Sequence, residues 1–303
     1  MVKGTIFFSL VLLAACTGSR NNSSNQIVNP PDSFTNDTPH LVSSQFVFTE
    51  GPAADKDGSI YFTDQPRDQI WKYDIDGKLS LFMDSAGRSN GLYIGKDGAI
   101  ISCADEHNEL LSISPDKQIT VLLKGSPGKA FNGPNDLWLD RSGGIYFTDP
   151  YYQRDYWTRK KSDLPYEGLY YLPAGASSAI LLDSTMVRPN GIVGTPDGKI
   201  LYVSDIGAGK TYRYTINSAG NVSGRQLFVE KGSDGMTLDQ LGNLYLTGQG
   251  VTAFDPSGTK VFFLPIPSRW VANLCFGGRN GDQLFITASE SVYVIKMQVK
   301  GAW

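Results

Sequence analysis

Six side chains that carry an oxygen donor each stand near the start of a short apolar segment. The segments are TEGPAA with Glu50, SNGLYI with Asn90, PNDLWL with Asn135, PNGIVG with Asn190, SDGMTL with Asp234 and ANLCFG with Asn273. Carboxylate and amide oxygens are the ligands that Ca²⁺ prefers, and they also suit Mg²⁺ or Mn²⁺. A single Asn, Asp or Glu next to glycine is usually only a turn signal. Six oxygen-bearing residues at the same position of a repeat favour a shared site instead. We therefore expect one divalent cation, Ca²⁺ first, with Mg²⁺, Mn²⁺ or Zn²⁺ as alternatives.

An internal repeat supplies the elements that would bring these residues together. Each copy is a turn with Asp or Asn and Gly, followed by an alternating apolar strand. The copies are DKDGSIYFTD (55–64), KDGAIISCAD (96–105), DRSGGIYFTD (140–149), PDGKILYVSD (196–205), DQLGNLYLTG (239–248) and RNGDQLFITAS (279–289). Their turn glycines lie 39 to 55 residues apart, a spacing typical of propeller blades.

Further apolar strands after each hairpin predict four-stranded blades. The last copy reaches the C-terminus with three strands, and the apolar stretch 41–48 is left to supply the fourth. Such a strand would close the ring without an unpaired edge. The prediction is an all-β fold, a six-bladed β-propeller with four-stranded blades closed by an N-terminal strand. No long apolar segment of period 3.6 follows the N-terminal region, which excludes an α-rich fold.

The first strand of each blade is innermost, so equivalent positions on these strands form a ring at one end of the central channel. The second strand returns to the same face. Four aspartates end these second strands: Asp64, Asp105, Asp149 and Asp205. We expect most of them to cap backbone amides, while Asp149 and Asp205 are also candidates to support the ring.

The longest insertion between strands, residues 150–167, follows Asp149 and should lie on the ring face. Its aromatic side chains either wall a pocket or pack on neighbouring blades, and the sequence leaves both open. Arg154 and Arg159 in this insertion favour an anionic substrate.

The N-terminal segment differs from the repeats. Lys3, the apolar run 5–13 and the pair Ala14-Ala15 are typical of a secretory signal peptide. Cys16 ends the string LAAC, which resembles the bacterial lipoprotein box. The alternatives are a plain secretory signal with an incidental cysteine or a weak membrane anchor.

The predicted division is a lipoprotein signal peptide over 1–15, a lipid-anchored tether over 16–40 and the propeller over 41–303. The protein would be held at a bacterial membrane by a lipid on Cys16, facing the periplasm or the cell surface. Cys103 and Cys275 lie within apolar strand patterns and are predicted to be buried free thiols. A formal net charge of −3 gives no indication of nucleic-acid binding, which relies on a basic surface.

Five segments in order resemble the gluconolactonase / senescence marker protein (regucalcin) family of six-bladed propellers, over roughly residues 45–298. They are FTEGPAAD, FNGPNDLWLDRSGGIYFTDPYY, RPNGIVGTPDGKILYVSD, GSDGMTLDQLGNLYL and NLCFGGRNGDQLFIT. Paraoxonases, diisopropylfluorophosphatases and strictosidine-synthase-like proteins share this architecture and are the nearest alternatives.

The resemblance implies a set of metal ligands: Glu50, Asn135, Asn190 and Asp234. Asn135 is also expected to contact the substrate. Further candidates for substrate contact are Arg88, His107 and Tyr151. The candidates for the catalytic carboxylate are Asp234 and Asp136, which stands beside Asn135.

Members of this family hydrolyse lactones or related esters with one channel-bound divalent cation. The cation stabilises the oxyanion that forms when water adds, and a carboxylate takes the water's proton. The one G-x-S-x-G string, GRSNG at 87–91, leads into an apolar strand pattern and not into a helix, so a covalent serine nucleophile is not indicated. We predict hydrolysis of a small-molecule sugar-acid lactone by a monomer. The alternatives are an aryl-esterase or phosphotriesterase on the same scaffold, or a non-enzymatic, metal-containing propeller that binds a glycan or protein.

Overall fold

The computed structural model describes Met1 and residues 33–125, 128–217 and 220–302. The predicted signal peptide and the lipidation site at Cys16 lie outside these residues. Within the described ranges, no helix is both long enough and apolar enough to cross a bilayer.

Twenty-four strands form six antiparallel sheets of four strands each, which confirms the predicted propeller. The first twelve strands are β1 (His40–Ser43), β2 (Thr49–Ala54), β3 (Ile60–Asp64), β4 (Gln69–Tyr73), β5 (Leu79–Asp84), β6 (Ser89–Ile94), β7 (Ile100–Ala104), β8 (Glu109–Ile113), β9 (Ile119–Lys124), β10 (Leu137–Leu139), β11 (Ile145–Asp149) and β12 (Gly168–Leu172). A single 3₁₀ turn, Gln65–Arg67, is the helical element among the described residues.

The second half of the chain continues the pattern. Its strands are β13 (Ile180–Asp183), β14 (Pro189–Gly194), β15 (Ile200–Asp205), β16 (Lys210–Ile216), β17 (Val222–Val229), β18 (Met236–Leu238), β19 (Leu244–Leu246), β20 (Val251–Phe254), β21 (Lys260–Leu264), β22 (Asn273–Gly277), β23 (Gln283–Ala288) and β24 (Ser291–Lys296). Blades one to five are consecutive sets of four strands that begin with β2, β6, β10, β14 and β18.

Blade six combines the two ends of the described chain in the order β22-β23-β24-β1. β1 pairs with β24 through His40 opposite Val294, so the predicted N-terminal closing strand is confirmed. Only the first part of the stretch 41–48 is used for pairing. Phe46 instead packs its ring against Phe62 and Trp71, at centroid distances of 5.3 and 5.4 Å.

The first strands of neighbouring blades contact one another around the channel, β2 with β6 and β22, and β14 with β10 and β18. These inner strands are buried, whereas outer strands such as β5 are partly exposed. The cores lie between adjacent sheets and hold most of the apolar surface, whose removal from water stabilises the ring.

The turn between β2 and β3 illustrates why glycine recurs in the repeat. Gly58 has φ +91°, and a Cβ atom there would lie 2.3 Å from the Gly278 carbonyl oxygen of blade six. The Gly58 carbonyl also accepts a hydrogen bond from Gly278 N–H at 2.9 Å. Only glycine combines this backbone conformation with such a close approach.

Candidate functional site

Five of the predicted ring residues line one small cavity at the mouth of the channel. They are Glu50, Asn90, Asn135, Asn190 and Asp234, and the cavity holds about 190 Å³. Each stands at or just before the start of the innermost strand of its blade. The geometric premise of a shared site is therefore met for residues drawn from five blades.

The sixth predicted ring residue, Asn273, lies one position out of phase, so that expectation is wrong. Threonines at the ends of the second strands of blades one, three and five mark the phase, because each donates its hydroxyl to the carbonyl of the ring residue in the next blade. Thr63 donates to Asn90 at 3.1 Å, and Thr247 donates to Ala272 at 2.9 Å. The ring position of blade six is thus Ala272, nine residues before the turn glycine Gly281, whereas Glu50 stands eight before Gly58.

The layer beneath the ring consists of the residues that follow each ring position. These are Gly51, Gly91, Asp136, Gly191, Gly235 and Asn273. A Cβ atom on Gly235 would lie 2.0 Å from Asn273 Cγ, and one on Gly91 would lie 2.6 Å from Asp136 Oδ1. The glycines therefore leave the room that the two longer side chains occupy.

Asp136 and Asn273 meet across the channel, with Asn273 Nδ2 at 3.4 Å from Asp136 Oδ2. Both side chains line a second cavity of about 890 Å³ on the opposite side of this layer, and neither lines the ring cavity. The pair separates the channel into two compartments. Asp136, a candidate for the catalytic carboxylate, thus does not line the cavity that holds Asp234. Burial raises the pKa of Asp136 to about 7, and the nearby charge of Asp234 contributes to the rise.

Asp234 is held by two side-chain donors. Asn190 Nδ2 donates to Asp234 Oδ1 at 2.8 Å, and Trp270 Nε1 donates to Asp234 Oδ2 at 2.6 Å. Asn190 Nδ2 also lies 3.1 Å from the Tyr152 hydroxyl. These contacts fix the orientation of the Asp234 carboxylate and leave the Asn190 carbonyl oxygen available.

The two ring carboxylates are buried at close quarters. Burial raises the pKa of Glu50 well above its ordinary value, and the neighbouring Asp234 carboxylate raises it further. Burial also raises the pKa of Asp234, although hydrogen bonds from Trp270 and Asn190 and the positive charge of Arg154 oppose the rise. The ionised pair therefore calls for a compensating cation.

The donor atoms of the ring fit a divalent cation. Asn90 Oδ1 is buried and has no hydrogen-bond partner, and Glu50 accepts one hydrogen bond within the described chain, from Gly51 N–H at 3.1 Å. Two carboxylates and three amides form a hard-oxygen set suited to Ca²⁺. The described residues contain no group of three or more His, Cys, Asp or Glu side chains arranged for a metal, so a site here depends on the amides.

Three predicted substrate contacts lie outside the ring cavity. Arg88 donates to the Pro66 carbonyl at 2.7 Å and stacks over the Tyr156 ring at 4.1 Å. His107 is exposed in the turn after β7. The Tyr151 hydroxyl donates to Gln153 at 2.6 Å.

The aspartates that end the second strands mostly cap backbone amides, as expected. Asp149 accepts from Asn132 and Gly133 N–H at 2.9 and 2.8 Å. Asp205 accepts from Val187 and Arg188 N–H, both at 2.9 Å. Such bonds hold the segment that leads into the ring residue in blades three and four.

Asp64 follows the same pattern with Val47 and Phe48, but Asp105 does not. Its carboxylate accepts from the side chains of Gln65, Arg154 and Tyr156 instead. One of the four aspartates therefore organises side chains of another blade and of the 150–167 insertion.

The structure adds residues at the site that the repeat pattern did not reveal. Gln65, which lines the cavity, and Trp270, which donates to Asp234, were not predicted, and Tyr152 and Arg154 come from the insertion. Trp270 stands two residues before Ala272, just as the pocket-lining Phe48 stands two before Glu50. A correct phase for blade six would therefore have pointed to Trp270. Cys103 and Cys275 are buried and free, as predicted.

Two solved structures share this architecture. A Xanthomonas campestris gluconolactonase aligns with a TM-score of 0.78 at 24% identity, covering 89% of this chain and 99% of its own. The calcium-binding protein regucalcin from Agrobacterium tumefaciens aligns with a TM-score of 0.74 at 17% identity, covering 87% and 95%. At these identities the likeness shows the common fold.

Sequence similarity establishes the family. A gluconolactonase from Zymomonas mobilis is 30% identical over 295 residues, which span 86% of this chain and 82% of the relative. The family model of the SMP-30/Gluconolactonase/LRE-like region matches residues 48–290. The chain therefore belongs to the SMP-30/gluconolactonase/LRE-like family.

Proposed function

We propose that this protein hydrolyses sugar-acid lactones in the ring cavity with the help of one divalent cation, Ca²⁺ in the first instance. The observation that carries the proposal is the shared cavity of Glu50, Asn135, Asn190 and Asp234. The gluconolactonase of Zymomonas mobilis supports the reaction class, and the calcium-binding regucalcin supports the ion.

Glu50, Asn190 and Asp234 would hold the cation, with Asn135 beside it. When bound, a divalent cation supplies Lewis-acid polarisation of a carbonyl and stabilises a developing oxyanion. The chain's own contribution is a preorganised set of oxygens, because Trp270 and Asn190 fix the Asp234 carboxylate.

Water activation requires a carboxylate that can reach the attacking water. Asp234 lines the ring cavity, whereas Asp136 lines the opposite cavity. We therefore assign proton removal to Asp234, with the Trp270 N–H keeping its orientation. Phe48 and Tyr152 line the same cavity and would limit the access of bulk water to the bound lactone.

The test compares hydrolysis of glucono-δ-lactone and phenyl acetate by the full chain, before and after removal of metal with EDTA. Lactone turnover that EDTA abolishes and added Ca²⁺ restores would support the proposal. Faster turnover of phenyl acetate would favour an aryl-esterase. Absence of turnover of both esters by Ca²⁺-loaded protein would favour a non-enzymatic propeller.

We also propose a lipid-anchored monomer that faces the periplasm or the cell surface. The string LAAC before a polar tether supports the anchor. Expression of the full chain and of Cys16→Ser in a bacterium tests it. Membrane-fraction protein that becomes soluble in the variant is the expected result, and an unchanged distribution would refute lipidation at Cys16.

A further inference from the structure

The insertion 150–167 contributes a cationic side chain to the ring cavity. Arg154 lines the cavity together with Tyr152, and its side chain is 26% exposed. Arg154 Nε donates to Asp105 Oδ2 at 2.8 Å. Among the described residues this is the one hydrogen bond of the Arg154 side chain. A guanidinium has five N–H donors, so most of them remain available at the cavity.

Asp105 is the buried anchor for this arrangement. Its carboxylate also accepts from Gln65 Nε2, at 3.0 and 2.9 Å, and from the Tyr156 hydroxyl. Its main-chain carbonyl accepts from Trp157 Nε1 at 2.7 Å. Three residues of the insertion thus converge on Asp105, which holds the segment over the mouth of the channel.

In blade two a different aspartate caps the backbone, which leaves the Asp105 carboxylate available for side chains. In the other three blades described above, the equivalent aspartate caps the segment that enters the ring. In blade two the Arg88 N–H of that segment donates to Asp68 Oδ1 instead. Since Asp68 takes over the capping, Asp105 is free to bind side chains of the insertion.

The charge of Arg154 is already balanced. Asp105 is its ion-pair partner, and neither Glu50 nor Asp234 lies within 4.0 Å of it as a salt bridge. Arg159, the other arginine expected to attract an anion, does not line the cavity. It donates to the Phe131 carbonyl at 2.8 Å and to Asn108 Oδ1 at 2.9 Å. The insertion therefore presents hydrogen-bond donors to the cavity and no unpaired positive charge.

We propose that Arg154 is a specificity-determining residue that donates hydrogen bonds to the hydroxyl groups of a neutral lactone, and that Asp105 is its positioning residue. The inference rests on the proposed lactonase function and specifies which chemical groups of the lactone the site recognises. The cavity, about 190 Å³, falls below the volumes of ~300–1,000 Å³ that suit drug-sized ligands, so one small ring is the expected occupant. Selection for hydroxyl groups is the alternative to the anionic substrate expected from the sequence.

The experiment compares three lactones: glucono-δ-lactone, δ-valerolactone without hydroxyl groups, and a glucaric acid monolactone with an added carboxylate. Arg154→Ala should raise KM for glucono-δ-lactone by about tenfold or more, since it removes charge-assisted hydrogen bonds. KM for δ-valerolactone should stay within about twofold, because that substrate offers no hydroxyl groups. Asp105→Asn should reproduce this KM pattern with Arg154 still present.

Arg213→Ala is the matched control, because Arg213 donates to Gln226 between β16 and β17 and does not line the cavity. It should leave all three substrates unchanged. Equal losses on glucono-δ-lactone and δ-valerolactone in Arg154→Ala would overturn the proposal. A larger loss on the glucaric monolactone than on glucono-δ-lactone would overturn it in favour of anion recognition.

A binding measurement separates this inference from the proposed function. Calorimetry with 1,5-anhydroglucitol, a neutral ring with hydroxyl groups and no ester, should show binding to wild type that Arg154→Ala weakens about tenfold or more. Wild-type binding without lactone turnover would refute the lactonase and keep Arg154 as a hydroxyl-recognising residue. Turnover with equal analogue binding by wild type and Arg154→Ala would refute Arg154 alone.

Discussion

The two compartments of the channel are built by the same inner strands and differ in character. The ring cavity is small and lined mainly by polar side chains, whereas the opposite cavity, about 890 Å³, combines apolar residues such as Leu92, Ile192 and Met236 with charged residues of the turns. The boundary is one residue thick, formed by glycines with Asp136 and Asn273. In five blades the ring position lines the small cavity, and positions after the boundary layer line the larger one.

The largest effect is expected in the ring cavity. Asp234→Ala removes a proposed metal ligand. Loss of a residue that only supports a metal ligand lowers metal affinity or activity by about 10–100-fold, so loss of the ligand itself should lower kcat/KM by at least about 100-fold. Ca²⁺ binding by calorimetry should be lost while circular dichroism stays that of a folded propeller. Asp197→Ala, at an exposed turn of blade four, is the control and should retain both properties. Retained lactonase activity in Asp234→Ala would contradict the site.

A substitution in the boundary layer between the two cavities is expected to lower stability strongly. In Gly235→Ala the new methyl would lie 2.0 Å from Asn273 Cγ, and such overpacking costs about 1–3 kcal/mol. Urea unfolding measures the loss. The double variant Gly235→Ala with Asn273→Ala should recover part of it, because the conflicting side chain is gone. Additive losses would show that the two residues do not share this space.

Asp149 lies on the ring side of the propeller but does not line the ring cavity. We expect it to affect the pH dependence of stability. Burial raises the pKa of Asp149 to about 7, although hydrogen bonds from Gly133 and Asn132 oppose the rise. The folded state then keeps a proton that the unfolded chain releases near pH 4. This contribution to stability is full below that pH and is lost as pH rises through about 7.

Asp149→Asn should therefore flatten the decline of the unfolding free energy between pH 4 and 8, by on the order of 1 kcal/mol or more. Urea unfolding of both proteins at several pH values, at a constant Ca²⁺ concentration, measures the difference. Parallel pH profiles for the two proteins would contradict the assignment.

The smallest effect is expected in the opposite cavity. Leu139→Ala trims a half-buried side chain that lines it and should cost about 1 kcal/mol of stability. Lactone kcat/KM should change by less than about twofold, since the boundary layer separates the two compartments. A tenfold loss of activity would show that the compartments communicate.

The blade architecture could be predicted from the sequence because its signals are local. Asp-Gly turns and alternating apolar strands repeat in the order in which strands pair, so strands such as β3 and β4 were identifiable without tertiary information. Five residues that line the ring cavity were also identified, because a repeat phase becomes a spatial ring under the symmetry of a propeller. Their roles as metal ligands stay predictions.

Other features depended on contacts between distant segments. The sequence by itself determined a closed ring of blades with polar side chains at one mouth, since periodicity sets which residues share a strand position. Only the tertiary structure showed that blade six carries one extra residue, that Asp136 meets Asn273 across the channel, and that Asp105 holds Arg154 at the cavity. The contact between Asp136 and Asn273 joins residues 137 positions apart, and no local sequence pattern encodes such a contact. The path of the insertion 150–167 likewise depends on the distant residues against which it packs.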